Sequence, residues 1–122
     1  MHHNPRFLAL VDGIRSRITE TDVHQVKRWQ DEGRKFHLID VREESEWAKG
    51  RLPGARYIGR GVIERDIETL FPDPETELYL YCGGGFRSIL AADNLQQMGY
   101  RKVISVDGGF RGWLEAGYPV ES

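Results

Sequence analysis

Tyr79-Leu80-Tyr81-Cys82-Gly83-Gly84-Gly85-Phe86-Arg87-Ser88, followed by Ile89-Leu90-Ala91-Ala92-Asp93-Asn94-Leu95-Gln96-Gln97-Met98-Gly99-Tyr100, is the stretch that decides the fold. Its first residues alternate and are rich in aromatics, the pattern of a strand. Its last residues carry Ile89, Ala92, Leu95 and Met98 at helical spacing and stop at Gly99. Between strand and helix stand the only cysteine of the chain, three glycines and Arg87. These are the parts of an anion cradle. Glycines let backbone N–H groups turn inward and come close to a ligand. The first turn of the helix adds unpaired donors and the positive end of its dipole. A cysteine at the mouth of such a cradle is set up as a nucleophile. A cysteine buried only for packing has no use for three helix-breaking glycines after it.

Outward from this stretch, strands and helices alternate. Phe7, Leu10, Val11, Ile14 and Ile18 mark an N-terminal helix over 6–17, with Pro5 suited to its first turn. Ile18–Glu20 is expected as a short edge strand. Thr21-Asp22 can cap a helix that carries Val23, Val26 and Trp29 and ends near Gly33. Lys35–Val41 reads as a strand buried on both faces, and Arg42–Gly50 as a short helix with its acids near its start. Arg51–Gly54 is a turn, Ala55–Ile58 a short strand, and Val62–Phe71 a helix ended by Pro72-Asp73-Pro74. Arg101–Val106 is the last strand, Asp107-Gly108-Gly109 a second glycine turn, and Phe110–Ala116 the final helix. This order predicts an α/β three-layer sandwich on a mainly parallel sheet of about five strands. Parallel sheets bind ligands at the carboxyl ends of their strands. Asp40, Cys82 and Asp107 all fall at such ends, so they are expected along one edge.

With 122 residues the chain reads as one domain, large enough for a real core. Its net charge of -2 provides no basic field for nucleic acid. One cysteine allows no internal disulfide and no cysteine metal cluster, which fits a reducing, cytoplasmic setting. No apolar run approaches the roughly 18 residues of a membrane span, and the start has no signal-peptide pattern. His2 and His3 make a poor metal site.

Four segments together resemble a known family, the single-domain rhodaneses, which are sulfurtransferases. They are Asp40-Val41-Arg42-Glu43 with Glu46-Trp47; Gly50-Arg51-Leu52-Pro53-Gly54-Ala55; Tyr81 through Ser88; and Gly108-Gly109-Phe110-Arg111-Gly112-Trp113. The resemblance spans roughly 18–120. It divides the chain into an N-terminal helical extension, 1–17, without an assigned task, and a rhodanese domain, 18–122. Many members carry His-Ile in the proline turn where Arg51-Leu52 stand here.

The resemblance implies the reaction. Cys82 attacks the sulfane sulfur of a donor such as thiosulfate, becomes a persulfide and passes the outer sulfur to a thiophilic acceptor such as cyanide. Gly83, Gly84, Gly85, Phe86, Arg87 and Ser88 would form the substrate cradle, with Arg87 on the donor's oxyanion. The scheme requires no metal or organic cofactor. Small-molecule donor and acceptor are the implied partners, with a thiol protein as a further option; nucleic acid and membrane are not.

Asp40 and Arg42 are supporting residues. Asp40 is expected to be structural, holding loop amides or steering Arg42, and Arg42 to sit on or near the rim. Glu46 is expected to be a solvated helix acid, Asp107 a turn residue, and no histidine is placed to pair with Cys82. Two other readings use the same parts: a protein-to-protein persulfide relay or binding module, and a cysteine-dependent phosphatase or arsenate reductase. The phosphatase-type loop has five residues between Cys and Arg, whereas four separate Cys82 from Arg87.

Overall fold

The computed structural model describes residues 3–122. Met1 and His2 lie outside the described residues, and with His2 the reading of His2 and His3 as a pair. The elements are α1 (Pro5–Arg15), β1 (Thr19–Asp22), α2 (Val23–Asp31), β2 (His37–Asp40), α3 (Glu44–Lys49), β3 (Arg56–Tyr57), α4 (Ile63–Leu70), β4 (Glu77–Tyr81), α5 (Arg87–Gln97), β5 (Lys102–Asp107) and α6 (Gly109–Glu115). The five strands form one sheet in the order β1-β5-β4-β2-β3, every pair parallel. None of the described helices is long and apolar enough to cross a membrane.

Side-chain alternation along the central strand builds both cores. Leu78, Leu80 and Cys82 face one side, with Val11 of α1, Ile63 and Ile67 of α4, and Ile89 and Leu95 of α5. Tyr79 and Tyr81 face the other, with Val23 and Val26 of α2 and Trp113 of α6. A parallel strand buried on both faces has to be apolar on both, which accounts for the nearly unbroken run at 78–82. Helices cover both faces because each parallel connection must return to the same sheet end.

Element ends differ from the expected ones for local reasons. The Asp22 carboxylate accepts from the Gln25 amide at 2.9 Å and starts α2 as a cap. The helix expected from Arg42 starts at Glu44, because the Arg42 amide donates to Asp40 Oδ1 at 2.9 Å in a local turn. Glu43 and Glu46 then form a capping box. The strand expected over 35–41 is regular only at 37–40, although the Val41 amide still bonds Tyr81 O at 3.0 Å. α6 begins one residue early, at Gly109.

α1 lies against α5. Val11 is fully buried there, Arg17 donates to Asp93 at 2.8 Å, and Gln96 donates to the Arg17 carbonyl at 3.2 Å. The hydrogen bond from Arg17, before any other influence, holds the Asp93 carboxyl below its usual range, while burial opposes it.

Candidate active site

Cys82 leaves β4 at the bottom of an open cavity of about 570 Å³ and is almost fully buried. Its Sγ accepts from the Gly85 amide at 3.1 Å and the Ser88 amide at 3.4 Å. Ser88 Oγ lies 3.5 Å from the sulfur and 2.8 Å from Ser105 Oγ, and both serines are fully buried. Gly85 can aim its amide this way because its φ is +96°, in the left-handed region that glycine tolerates. Two backbone dipoles and a hydroxyl therefore converge on one sulfur atom, an arrangement that stabilises negative charge there.

The loop after β5 holds the loop after β4. The Phe110 amide donates to Cys82 O at 2.8 Å and the Arg111 amide to Gly83 O at 2.9 Å. A trans peptide sets its N–H opposite its C=O. With those two carbonyls turned toward α6, the amides of Gly83 and Gly84 face away from it, and neither has an acceptor among the described residues. Gly109 makes the approach possible: its φ is +53°, and a Cβ there would overlap Cys82 O and stand 3.0 Å from Gly83 O.

Three arginines border the cavity, and each has different ties. Arg42 is buried beneath the wall. Its guanidinium donates to both oxygens of fully buried Asp40, at 2.7–3.0 Å, and to Gly50 O at 2.7 Å, and it stacks on Phe110 at 4.2 Å. Burial pulls its pKa down, but the hydrogen bond and charge of Asp40 outweigh that and leave it raised. Tyr81 donates to Asp40 Oδ2 at 2.6 Å and accepts from the Leu52 amide at 3.2 Å. Burial, then the charge of Asp40, push the Tyr81 phenol well up, so it stays a donor. Arg87 is partly exposed and lies 3.2 Å from both Glu46 oxygens, with Glu43 at 3.9 Å. Arg111 has no ion pair among the described residues.

Of the residues singled out in the sequence, Cys82, Gly83, Gly84, Phe86, Arg87 and Arg42 border the cavity. Gly85 and Ser88 lie beneath, against the sulfur. Asp40 stays under the wall, holding the Arg42 amide and guanidinium together. Glu46, expected as a solvated acid, instead lines the cavity, because its i−3 partner at the helix start and Arg87 both draw it inward. Sequence reasoning missed Ser105, Gly109 as a close-approach position, Arg111, and the N-terminal residues His3 and Phe7, which also line the cavity. The signal for Gly109 was present as a second glycine pair at a strand end.

A family model for the rhodanese-like domain matches residues 22–116. The chain is 34% identical over 98 residues to "Putative sulfur carrier protein YrkF" of Bacillus subtilis strain 168, covering 80% of this chain and 52% of that protein. It is also 34% identical over 96 residues to "Putative sulfurtransferase YtwF" of the same organism, covering 79% and 90%. The chain thus spans about half of the first relative and most of the second. Among solved structures, a Rhodopseudomonas palustris protein described as of unknown function, "Possible Tyrosine Phosphatase", superposes with a TM-score of 0.86 at 29% identity over 99% of both chains.

Proposed function

We propose, from the premise that the chain belongs to the rhodanese-like domain family, that Cys82 carries sulfane sulfur from a donor such as thiosulfate to a thiophilic acceptor such as cyanide. One observation carries the reading. The only thiol of the chain stands at the floor of an open cavity with two backbone amides directed at its sulfur.

The Cys82 thiolate forms a bond to the outer sulfur of thiosulfate. The sulfur–sulfur bond of the donor breaks, and sulfite leaves with its electron pair. The enzyme is left as a persulfide anion. Cyanide then attacks the outer sulfur, thiocyanate departs, and the thiolate returns. Donor and nucleophile are both anionic, so their encounter needs positive groups. Arg111, Arg87 (shared with Glu46) and the free amides of Gly83 and Gly84 supply them. Charge-assisted hydrogen bonds of this kind contribute about 1.5–3 kcal/mol each. The Gly85 and Ser88 amides, aimed at Sγ, stabilise the Cys82 thiolate that attacks the donor and that returns when thiocyanate departs. A reducing, cytoplasmic setting would keep the thiol available.

Intact mass is the test. Thiosulfate should add one sulfur to the protein, cyanide should remove it, and Cys82→Ser should show neither step. Turnover by a folded Cys82→Ser protein would sink the scheme. A relay to a protein thiol uses the same persulfide, and the relative described as a sulfur carrier supports it. The likeness to a structure described as a possible tyrosine phosphatase raises phosphoryl transfer. With four residues between Cys82 and Arg87 the loop suits one sulfur atom better than a phosphoryl group. Aryl phosphate hydrolysis faster than thiocyanate formation would reverse that choice.

A further inference from the structure

Thiosulfate is a small inorganic sulfane donor, and the cavity above Cys82 is far larger than it needs. At about 570 Å³ it falls within the range of about 300–1,000 Å³ typical of pockets that enclose organic ligands. Its upper wall is aromatic and aliphatic apart from His3 Nε2, which is buried without a hydrogen-bond partner among the described residues, and it comes from three separate parts of the chain. His3 and Phe7 come from the segment ahead of the family-matched residues, Phe86 from the sulfur loop itself, and Phe110 and Leu114 from α6. His3 packs on Phe86 at 4.4 Å and on Phe7 at 5.2 Å, and Phe7 and Phe86 lie 6.1 Å apart. Arg15 stands over the Phe86 ring at 5.8 Å. This wall is anchored by the buried Val11 and by the Arg17–Asp93 pair. Leu114 is half exposed although it lines the cavity, so it offers apolar surface with nothing yet on it. Beside this wall Arg111 stands without an ionic partner among the described residues.

We propose that this wall selects the donor: the site takes an organic sulfane-sulfur compound, with an apolar body on His3, Phe7, Phe86 and Leu114 and its charged sulfur end between Cys82 and Arg111, in preference to thiosulfate. The inference rests on the sulfurtransferase reading and names its substrate class. Benzenethiosulfonate is a suitable probe. Cys82 thiolate bonds to its terminal sulfur, the bond from that sulfur to the sulfonyl sulfur breaks, and benzenesulfinate leaves with the electron pair. The same Cys82 persulfide results as from thiosulfate.

The experiment measures kcat/KM for benzenethiosulfonate and for thiosulfate, with cyanide as acceptor, in the wild type, Phe7→Ala and Leu114→Gln. The intrinsic reactivities of the donors cancel when the donor ratio of a variant is divided by that of the wild type. That quotient should fall about tenfold for Phe7→Ala and about fivefold for Leu114→Gln, carried by KM for the organic donor. Leu114 is half exposed and on a different helix from Phe7, so its variant keeps the test open should α1 loosen in Phe7→Ala. Quotients within twofold of one in both folded variants overturn the wall as a selector, with the sulfurtransferase reading intact. Absence of a Cys82 persulfide with either donor overturns that reading, and the inference with it.

Discussion

The loops after β4 and after β5 use the same parts: a parallel strand end, a run of glycines and a helix. They do opposite work. The first turns its amides toward Cys82 Sγ and leaves those of Gly83 and Gly84 free. The second spends the first amides of its helix on the carbonyls of the first loop. One loop makes the cradle, and the other fixes which way its peptides face. The cations differ in parallel: Arg87, on the helix of the first loop, is held by Glu46, whereas Arg111, on the helix of the second, is free among the described residues. Similar sequence grammar therefore does not imply a similar task. The difference lies in whether the amides point at a side chain or at another backbone.

The sharpest way to break the comparison is Gly109→Ala. Its Cβ would run into the backbone of Cys82 and Gly83 at a positive φ, with no flexible side chain to give way. We expect a loss of about 3 kcal/mol of stability, a melting point lower by roughly 10 °C, and loss of sulfur transfer even where the protein stays folded. Thermal unfolding with a thiocyanate assay checks both. Gly85→Ala strikes the seam between the loops, 3.2 Å from the Gly108 amide, and should cost about 2 kcal/mol while weakening the Gly85 bond to Sγ. A persulfide that forms normally in this variant would remove that amide from the mechanism.

Next comes the pair of cations. Arg111→Ala should raise KM for thiosulfate about tenfold, and Arg87→Ala about threefold, because Glu46 already competes for Arg87. Steady-state kinetics on both variants decides, and the reverse order would return the leading role to Arg87. Gly84→Ala should matter least. Its Cβ meets only side chains, at 3.6 Å or more, and its φ is not positive. A stability change within about 0.5 kcal/mol is expected by denaturant titration.

What was legible in the sequence was local. The strand end, Cys82, the glycines and the helix lie within one continuous stretch, so their spacing alone assembles the cradle. The nearly continuous apolar end of Lys35–Val41 similarly gave away a strand buried on both faces. Partners set far apart in the chain were hidden. Glu46 meets Arg87 across 41 positions and Ser88 meets Ser105 across 17, through contacts that only the strand order creates. Nothing in the residue type of Arg42 announces burial, since a guanidinium is by default hydrated. It is buried because Asp40, Gly50 O and Phe110 replace its water. The N-terminal helix was visible, but the Phe7–Phe86 contact that gives it a place at the cavity was not.

The sheet order also sets a timetable for the chain as it emerges during synthesis. β1 has one neighbour, β5, and its register runs from Thr19 opposite Ile104 to Asp22 opposite Asp107. The first strand made must wait for the last before it can pair, and α1 waits for α5. Contacts this distant in sequence close slowly. The aromatic wall over Cys82 is therefore a late arrival, completed only after the cradle has its strands. A nascent chain halted before residue 102 holds the cysteine loop and α5, but has neither β5 to pair with β1 nor the Phe110 and Leu114 that complete the wall.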